Sequence, residues 1–376
     1  MSRPLDLPAY TAADVKAELL AAGTSGTIYS LVMPESEAAL ARVMDGGERG
    51  ALLAVGGAAL LEARRAESLF SRYREPWTQK QDGAHELYFE RWLDWAAPAV
   101  AISAGDFPHR YPTAGASEGI FKLTAEYASR ERAAGRVPSL HIFEGEYEGF
   151  PAFAAALQIE VVRHDRTRWE EAPAAVAANG LFWISQPSAI DGAVWPHFEA
   201  FAAALAEARP EAMLIPDLTY VGSVARPYRI ALNAPNIPAV AISHSKPFGG
   251  YYHRVGGVLA RREHPSLFGN KWFKNLLSLA WGAEMMERHG VFDLPTKYRP
   301  VQAAAAALVA ERLGIAAFAP ADVLLLGTAP EASASTPLLR SVLRGSGSER
   351  VVRLCLTPLM SALIDPALAP SVSVAP

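Results

Sequence analysis

Between residues 99 and 261 the chain repeats one pattern. A short, near-continuous apolar run is followed by a longer stretch whose apolar residues recur at three- and four-residue spacing. The runs are 99–103, 139–143, 160–164, 181–185, 213–215, 239–243 and 257–261, and helix-like segments at 118–134, 147–157, 169–178 and 197–208 separate most of them. A strand exposed on one face alternates apolar and polar residues, whereas a near-continuously apolar strand is covered on both faces. Strands alternating with helices in this way predict an α/β fold, a mainly parallel, doubly wound sheet. Ligands of such sheets bind beyond the carboxyl ends of the strands, so the chemistry is sought just after each run.

The flanking segments read differently. Residues 11–22, 35–44, 51–68 and 83–95 have helical spacing, and Thr11 with Asp14 three residues on forms a capping-box-like start. From residue 265 helices return, followed by strand patterns at 321–326 and 350–356, and the tail 366–376 is expected to fray. The expected organisation is a large domain over residues 50–264 and a smaller α+β domain built from 1–49 and 265–376.

Charge and cysteine content narrow the partners. With 35 Lys+Arg against 39 Asp+Glu, the net charge is −4, which leaves no electrostatic footprint for nucleic acid. The Ala-rich run 301–309 is cut short by Glu311 and Arg312 and reads as a packed helix, so no membrane partner is expected. A single cysteine, Cys355, forms no internal disulfide and reads as a buried small side chain in the run 351–356. The nine histidines show no ligand spacing, so no metal site is expected. No signal segment is apparent at the N-terminus, and the expected location is cytoplasmic.

Four strand ends carry unusual residues. After 99–103 comes Thr113-Ala114-Gly115-Ala116-Ser117-Glu118, leading into a helix whose free N–H groups favour an anion. After 139–143 comes Glu144-Gly145-Glu146-Tyr147, with a ring able to stack on a planar ligand. After 213–215 comes Pro216-Asp217-Leu218-Thr219-Tyr220, an acid and a phenol able to hold opposite edges of one ring. After 239–243 comes Ser243-His244-Ser245-Lys246, with Arg254 eight residues past the lysine. A lysine of lowered basicity forms Schiff bases, and arginine takes phosphate bidentately.

The segment Lys246-Pro247-Phe248-Gly249-Gly250-Tyr251-Tyr252-His253-Arg254-Val255-Gly256 resembles the lysine segment of fold-type-I pyridoxal-phosphate enzymes of the aminotransferase class I/II family. The upstream Asp-x-x-Tyr and Gly-Ala-Ser agree with it in order and spacing. The resemblance implies an aspartate-aminotransferase-like fold, pyridoxal 5′-phosphate as cofactor, a homodimer, and amino acid and 2-oxo acid substrates. It assigns Lys246 to the Schiff base and the proton shuttle, Asp217 to the pyridine nitrogen and Tyr220 to the phenolate oxygen. Tyr147 would stack on the ring, while Gly115, Ala116, Ser117, Ser243 and Arg254 would hold the phosphate. Arg353 falls where the family binds the substrate α-carboxylate.

Two places depart from the family. Ala189 occupies the position of an asparagine that donates to the phenolate oxygen, leaving Tyr220 alone or Gln186 or Ser188 as substitutes. Near the N-terminus no tyrosine aligns cleanly with the one that reaches the partner's phosphate; Tyr73 and Trp77 are the candidates. The function implied is an aminotransferase. The alternative is a pyridoxal-phosphate enzyme of another reaction: decarboxylation, β- or γ-elimination or replacement, or carbon–carbon bond formation.

Overall fold

The computed structural model describes residues 11–45, 82–272 and 276–368, and the candidates 51–68, Tyr73 and Trp77 lie outside them. The N-terminal helices are α1 (Ala12–Ala21), α2 (Pro34–Asp45) and α3 (Asp82–Ala96). Helix α1 starts where the sequence places it: the Thr11 side chain accepts from the Asp14 N–H, and Asp14 accepts from the Thr11 N–H in return.

The centre of the molecule is a seven-stranded sheet. Its strands are β2 (His109–Thr113), β3 (Ser139–Phe143), β4 (Glu160–His164), β5 (Leu181–Ser185), β6 (Met213–Asp217), β8 (Ala239–Ser243) and β9 (Gly256–Ala260). The spatial order is β2-β9-β8-β6-β5-β3-β4, parallel throughout except for β9, which runs antiparallel to both neighbours. Helices α4 (Ala116–Ala133), α5 (Gly149–Ala156) and α6 (Phe198–Ala208) follow β2, β3 and β5. The reason for the continuous apolar runs is visible in β5. Leu181 and Trp183 pack into one hydrophobic cluster, Phe182 and Ile184 into the other, on the opposite face. In β8, Ala239 and Ala241 divide from Val240 and Ile242 in the same way.

Three expectations shift. The run 99–103 is not a strand of this sheet: only β1 (Val100–Ala101) forms, pairing with β7 (Ile230–Ala231) in a separate two-stranded sheet. The strand that leads to Gly115 is β2, whose His-Arg-Tyr-Pro-Thr sequence carries no apolar run because it is an edge strand, where Pro112 costs little. Within 169–178 only Ala172–Ala175 is α-helical, with Pro173 in its first turn and Val176 already extended. The run at 321–326 is mostly buried loop, tied down by the Val224–Val323 bridge, and the strand comes next.

That strand, β11 (Leu326–Pro330), belongs to an antiparallel sheet of order β10-β11-β13-β12, with β10 (Ala319–Pro320), β12 (Leu343–Arg344) and β13 (Val351–Cys355). Helices α7 (Leu276–Arg288), α8 (Asp293–Leu313) and α9 (Thr357–Ile364) complete this part. Helix α8 contains the Ala-rich run and buries Ala305, Ala306 and Val309. A bridge between Ser25 and Cys355 ties the N-terminal segment to β13. No helix among the described residues is long and apolar enough to cross a membrane.

Candidate active site

The chain leaves β3 for the sheet edge at β4 and returns across it to β5, so the strand order reverses between β3 and β5. A crevice opens beyond the carboxyl ends at such a point. Tyr147 follows β3, Ala189 follows β5, Asp217 ends β6 and Lys246 follows β8, so one crevice gathers residues from four strand ends.

Lys246 is partly buried, and its Nζ donates to the Ile28 carbonyl oxygen at 2.6 Å. Burial is the main reason that its basicity falls from the usual 10.5 to about 8; Cys355 and Glu148 oppose the fall, while Arg254 and Arg353 add to it. Asp217 is buried. Its Oδ1 accepts from the Thr219 N–H at 3.0 Å and hydroxyl at 2.5 Å, and among the described residues no cation pairs with it. Burial raises its carboxyl from 3.8 to about 6. Burial likewise raises the Tyr220 phenol, against the opposing field of Arg353.

An anion cradle lies at the start of α4. Gly115 sits at φ 82°, and a Cβ there would come 2.7 Å from Arg254 Nη2, so only glycine lets the backbone and the guanidinium approach. Arg254 itself has φ 48°, and its Nη2 donates to the Ala114 carbonyl at 2.7 Å. Its Nη1 reaches the Ser245 hydroxyl at 3.4 Å, and the Ser243 hydroxyl donates to Ser245 at 3.1 Å. Ala116 opens α4, whose N-cap has no side-chain partner, and Ser117 lies 3.4 Å from the Tyr147 hydroxyl. The Tyr147 phenol is raised by burial and feels the charges of Asp217 and Arg254. Tyr147, Ser117, Asp217, Tyr220, Lys246 and Arg254 thus share one site.

Arg353 comes to the same site from the small sheet. It is almost fully buried, and its Nη1 donates to the Ala189 carbonyl while Nη2 contacts the Gly26 carbonyl at 3.3 Å. Its buried Nε has no partner among the described residues, a donor left over for a ligand.

Ala189 itself offers no side-chain donor, and its N–H donates to the Ser185 hydroxyl at 2.7 Å. The two proposed substitutes differ. The Gln186 amide is paired at both ends with the Trp195 backbone, and the Ser188 hydroxyl accepts from Arg166 and from the Ile190 N–H. His244 is buried among Tyr88, Trp95 and Phe248, and His253 stacks on Trp281 at 4.1 Å, so the two histidines beside the lysine are packing residues.

Several residues escape sequence reasoning. Glu146, buried beneath Tyr147, accepts from the Ser185 N–H and hydroxyl, and burial raises it to about 7. Arg166 is buried against Asp191 and Glu349 and braces the 185–192 segment through Ser188. Cys355 is more than filler: its Sγ accepts from the Tyr29 N–H at 3.3 Å and lies 2.8 Å from the Thr357 hydroxyl. One signal existed for it, since a residue two past Arg353 on a strand shares its face. Among the described residues, no cluster of three or more His, Cys, Asp or Glu is placed to hold a metal ion.

The sequence matches no family model and no curated protein. The structure is similar to several solved ones. Thermus thermophilus aspartate aminotransferase superposes with a TM-score of 0.61 at 14% identity, over 98% of this chain and 97% of that one. Escherichia coli YbdL, described as having a methionine aminotransferase function, gives 0.60 at 16%, over 96% and 98%. The PLP-bound C-S lyase from Staphylococcus hominis gives 0.55 at 14%, over 74% and 79%. With its mainly parallel seven-stranded sheet and appended antiparallel sheet, the chain has the fold of the fold-type-I pyridoxal-phosphate enzymes.

Proposed function

We propose that the protein is a pyridoxal-phosphate-dependent enzyme that transfers an amino group between an amino acid and a 2-oxo acid. The observation that carries this reading is the presence in one site of a partly buried lysine of lowered basicity and a buried aspartate that pairs with no cation among the described residues. Each is costly to the chain alone, and a protonated ring nitrogen together with an aldehyde would relieve both. The residues fit the cofactor elsewhere too: Gly115, Ala116, Ser117, Ser243 and Arg254 form the anion cradle, and Tyr147 stands where a ring would stack.

When bound, pyridoxal phosphate supplies an electron sink for negative charge at the substrate Cα. The chain's own residues do the rest. Lys246, its basicity lowered to about 8, takes and returns the proton at Cα. Asp217 holds the ring nitrogen by charge, and Tyr220 donates to the ring oxygen. Arg353 offers its unpartnered Nε and its long Nη2 contact to the substrate carboxylate. The exposed tyrosines Tyr251 and Tyr252, next to Arg254, are the surface that a second copy would cover in the homodimer that the resemblance implies.

The test is borohydride reduction of the chain mixed with pyridoxal phosphate, followed by peptide mass analysis. The expected adduct is on Lys246 and absent from Lys246→Ala; an unmodified Lys246 overturns the reading. Because one scaffold hosts many reactions, a single turnover with an amino acid separates the alternatives. Pyridoxamine phosphate supports transamination, whereas a released olefinic or decarboxylated product favours the lyase-type reaction.

A further inference from the structure

Glu148 stands between two arginines at the mouth of the site. It follows Tyr147 in the loop after β3, and its Oε1 pairs with Arg344 of β12 while lying 3.6 Å from Arg353 Nη2 of β13. The register places Arg344 opposite Val351, so both arginines sit on adjacent strands of the small sheet and Glu148 reaches them from the large one. The two loops are pressed together: a Cβ on Gly145 would come 2.3 Å from the Gly345 nitrogen. Arg353 is buried, Arg344 is about a quarter exposed and Glu148 is mostly exposed, so the acid is the member free to move.

The charges decide what the mouth accepts. Two arginines against one glutamate leave one uncompensated positive charge, enough for one carboxylate. Glu148 is bound tightly to Arg344 and only loosely to Arg353, so a substrate carboxylate competes for Arg353 and leaves the Glu148–Arg344 pair in place. A second anionic group on the substrate would meet an arginine already neutralised and a carboxylate of like charge. Glu148 also acts on the electrostatics of Lys246 and Tyr220, which places it within reach of the reacting centre's field.

We propose that Glu148 is a charge-selecting residue that, by neutralising Arg344, restricts this site to amino acids bearing a single carboxylate and no second anionic group. The inference rests on the function proposed above. Its test is a spectrophotometric titration of the chain loaded with pyridoxal phosphate, using L-alanine, L-leucine, L-aspartate and L-glutamate as probes and reading an apparent Kd from the visible absorbance. The wild type is expected to bind the two neutral amino acids about tenfold or more tighter than the two acidic ones. Glu148→Gln should tighten aspartate and glutamate by about tenfold while leaving alanine and leucine within about threefold. The double variant Glu148→Gln/Arg344→Gln should erase that gain, because the freed arginine is its source. A wild type that prefers the acidic probes, or a Glu148→Gln variant with an unchanged ratio, overturns the inference. If Lys246 takes up cofactor but none of the four amino acids alters the absorbance, the inference is overturned; if Lys246 takes up none, the proposed function is overturned with it.

Discussion

The Nζ of Lys246 donates to the carbonyl oxygen of Ile28 at 2.6 Å, across 218 positions of sequence. A backbone carbonyl satisfies the ammonium but does not balance its charge. The folded chain therefore binds this proton more weakly than the unfolded one, at about 8 against 10.5. Below pH 8 both states hold the proton and the folded state bears the whole cost. Between pH 8 and 10.5 only the unfolded chain keeps it, so stability rises with pH across that window. Lys246→Met is expected to stabilise the cofactor-free chain by ~2 kcal/mol at pH 7, with the gain fading by pH 10.5. Urea unfolding of both proteins at the two pH values checks this, and an equal gain at both would refute it.

Asp217 gives the complementary result. Its folded carboxyl titrates near 6 rather than 3.8, so the cost of ionising it grows as pH rises through that interval and persists above it. Asp217→Asn should raise the stability of the cofactor-free chain by ~2 kcal/mol at pH 7 and leave it nearly unchanged at pH 4. The same variant should weaken pyridoxal phosphate binding by about tenfold or more. Thermal melts with and without the cofactor measure both effects.

With the Gln186 amide paired at both ends to the Trp195 backbone, Tyr220 and the Ser188 hydroxyl, which accepts from Arg166 and Ile190, remain as candidate donors to the cofactor's phenolate oxygen in place of an asparagine. A phenolate with fewer donors holds its proton more strongly. Ala189→Asn should therefore move the visible absorbance titration of the lysine-linked cofactor to lower pH. Because position 189 is buried, overpacking should also cost ~1–3 kcal/mol of stability. An unmoved absorbance midpoint in a folded variant contradicts the missing-donor reading.

Arg166 contacts Asp191, Glu349 and the Ser188 hydroxyl from a buried position. Removing the cation leaves partly buried carboxylates facing one another and frees the segment whose Ala189 carbonyl orients Arg353. Arg166→Met should cost ~2–4 kcal/mol in chemical denaturation. It should also weaken binding of carboxylate-bearing ligands more than binding of pyridoxal phosphate.

Tyr252 is 92% exposed and Tyr251 51%, side by side with the arginine of the anion cradle. If a second copy covers them, Tyr252→Asp should shift sedimentation from dimer toward monomer and lower cofactor affinity. A wild type that sediments as a monomer at micromolar concentration would end the dimer proposal.

The sequence read well wherever the cause was local. Strands β3, β5 and β8 were legible to the residue, because burial on both faces leaves an apolar run, and β4, at the sheet edge, was legible from its central Val161-Val162 pair. The capping box of α1 was legible for the same reason: its partners lie three residues apart. Strand β2 was not, since an edge strand needs no apolar run, and the loop at 321–325 misled because a buried loop is as apolar as a strand.

The site divides along the same line. Order and spacing placed Lys246, Asp217 and Tyr147 at or just after the ends of apolar runs, since strand–helix alternation dictates where each run stops, and Arg254 eight residues past the lysine, in the loop before β9. Only the tertiary structure decided what surrounds them. Ile28 on Lys246, Ala189 and Gly26 on Arg353, Tyr29 on Cys355 and Glu148 between two arginines are contacts made across the fold. No periodicity encodes them, because a buried charge takes whichever carbonyl or carboxylate the packing brings within reach, however distant along the chain.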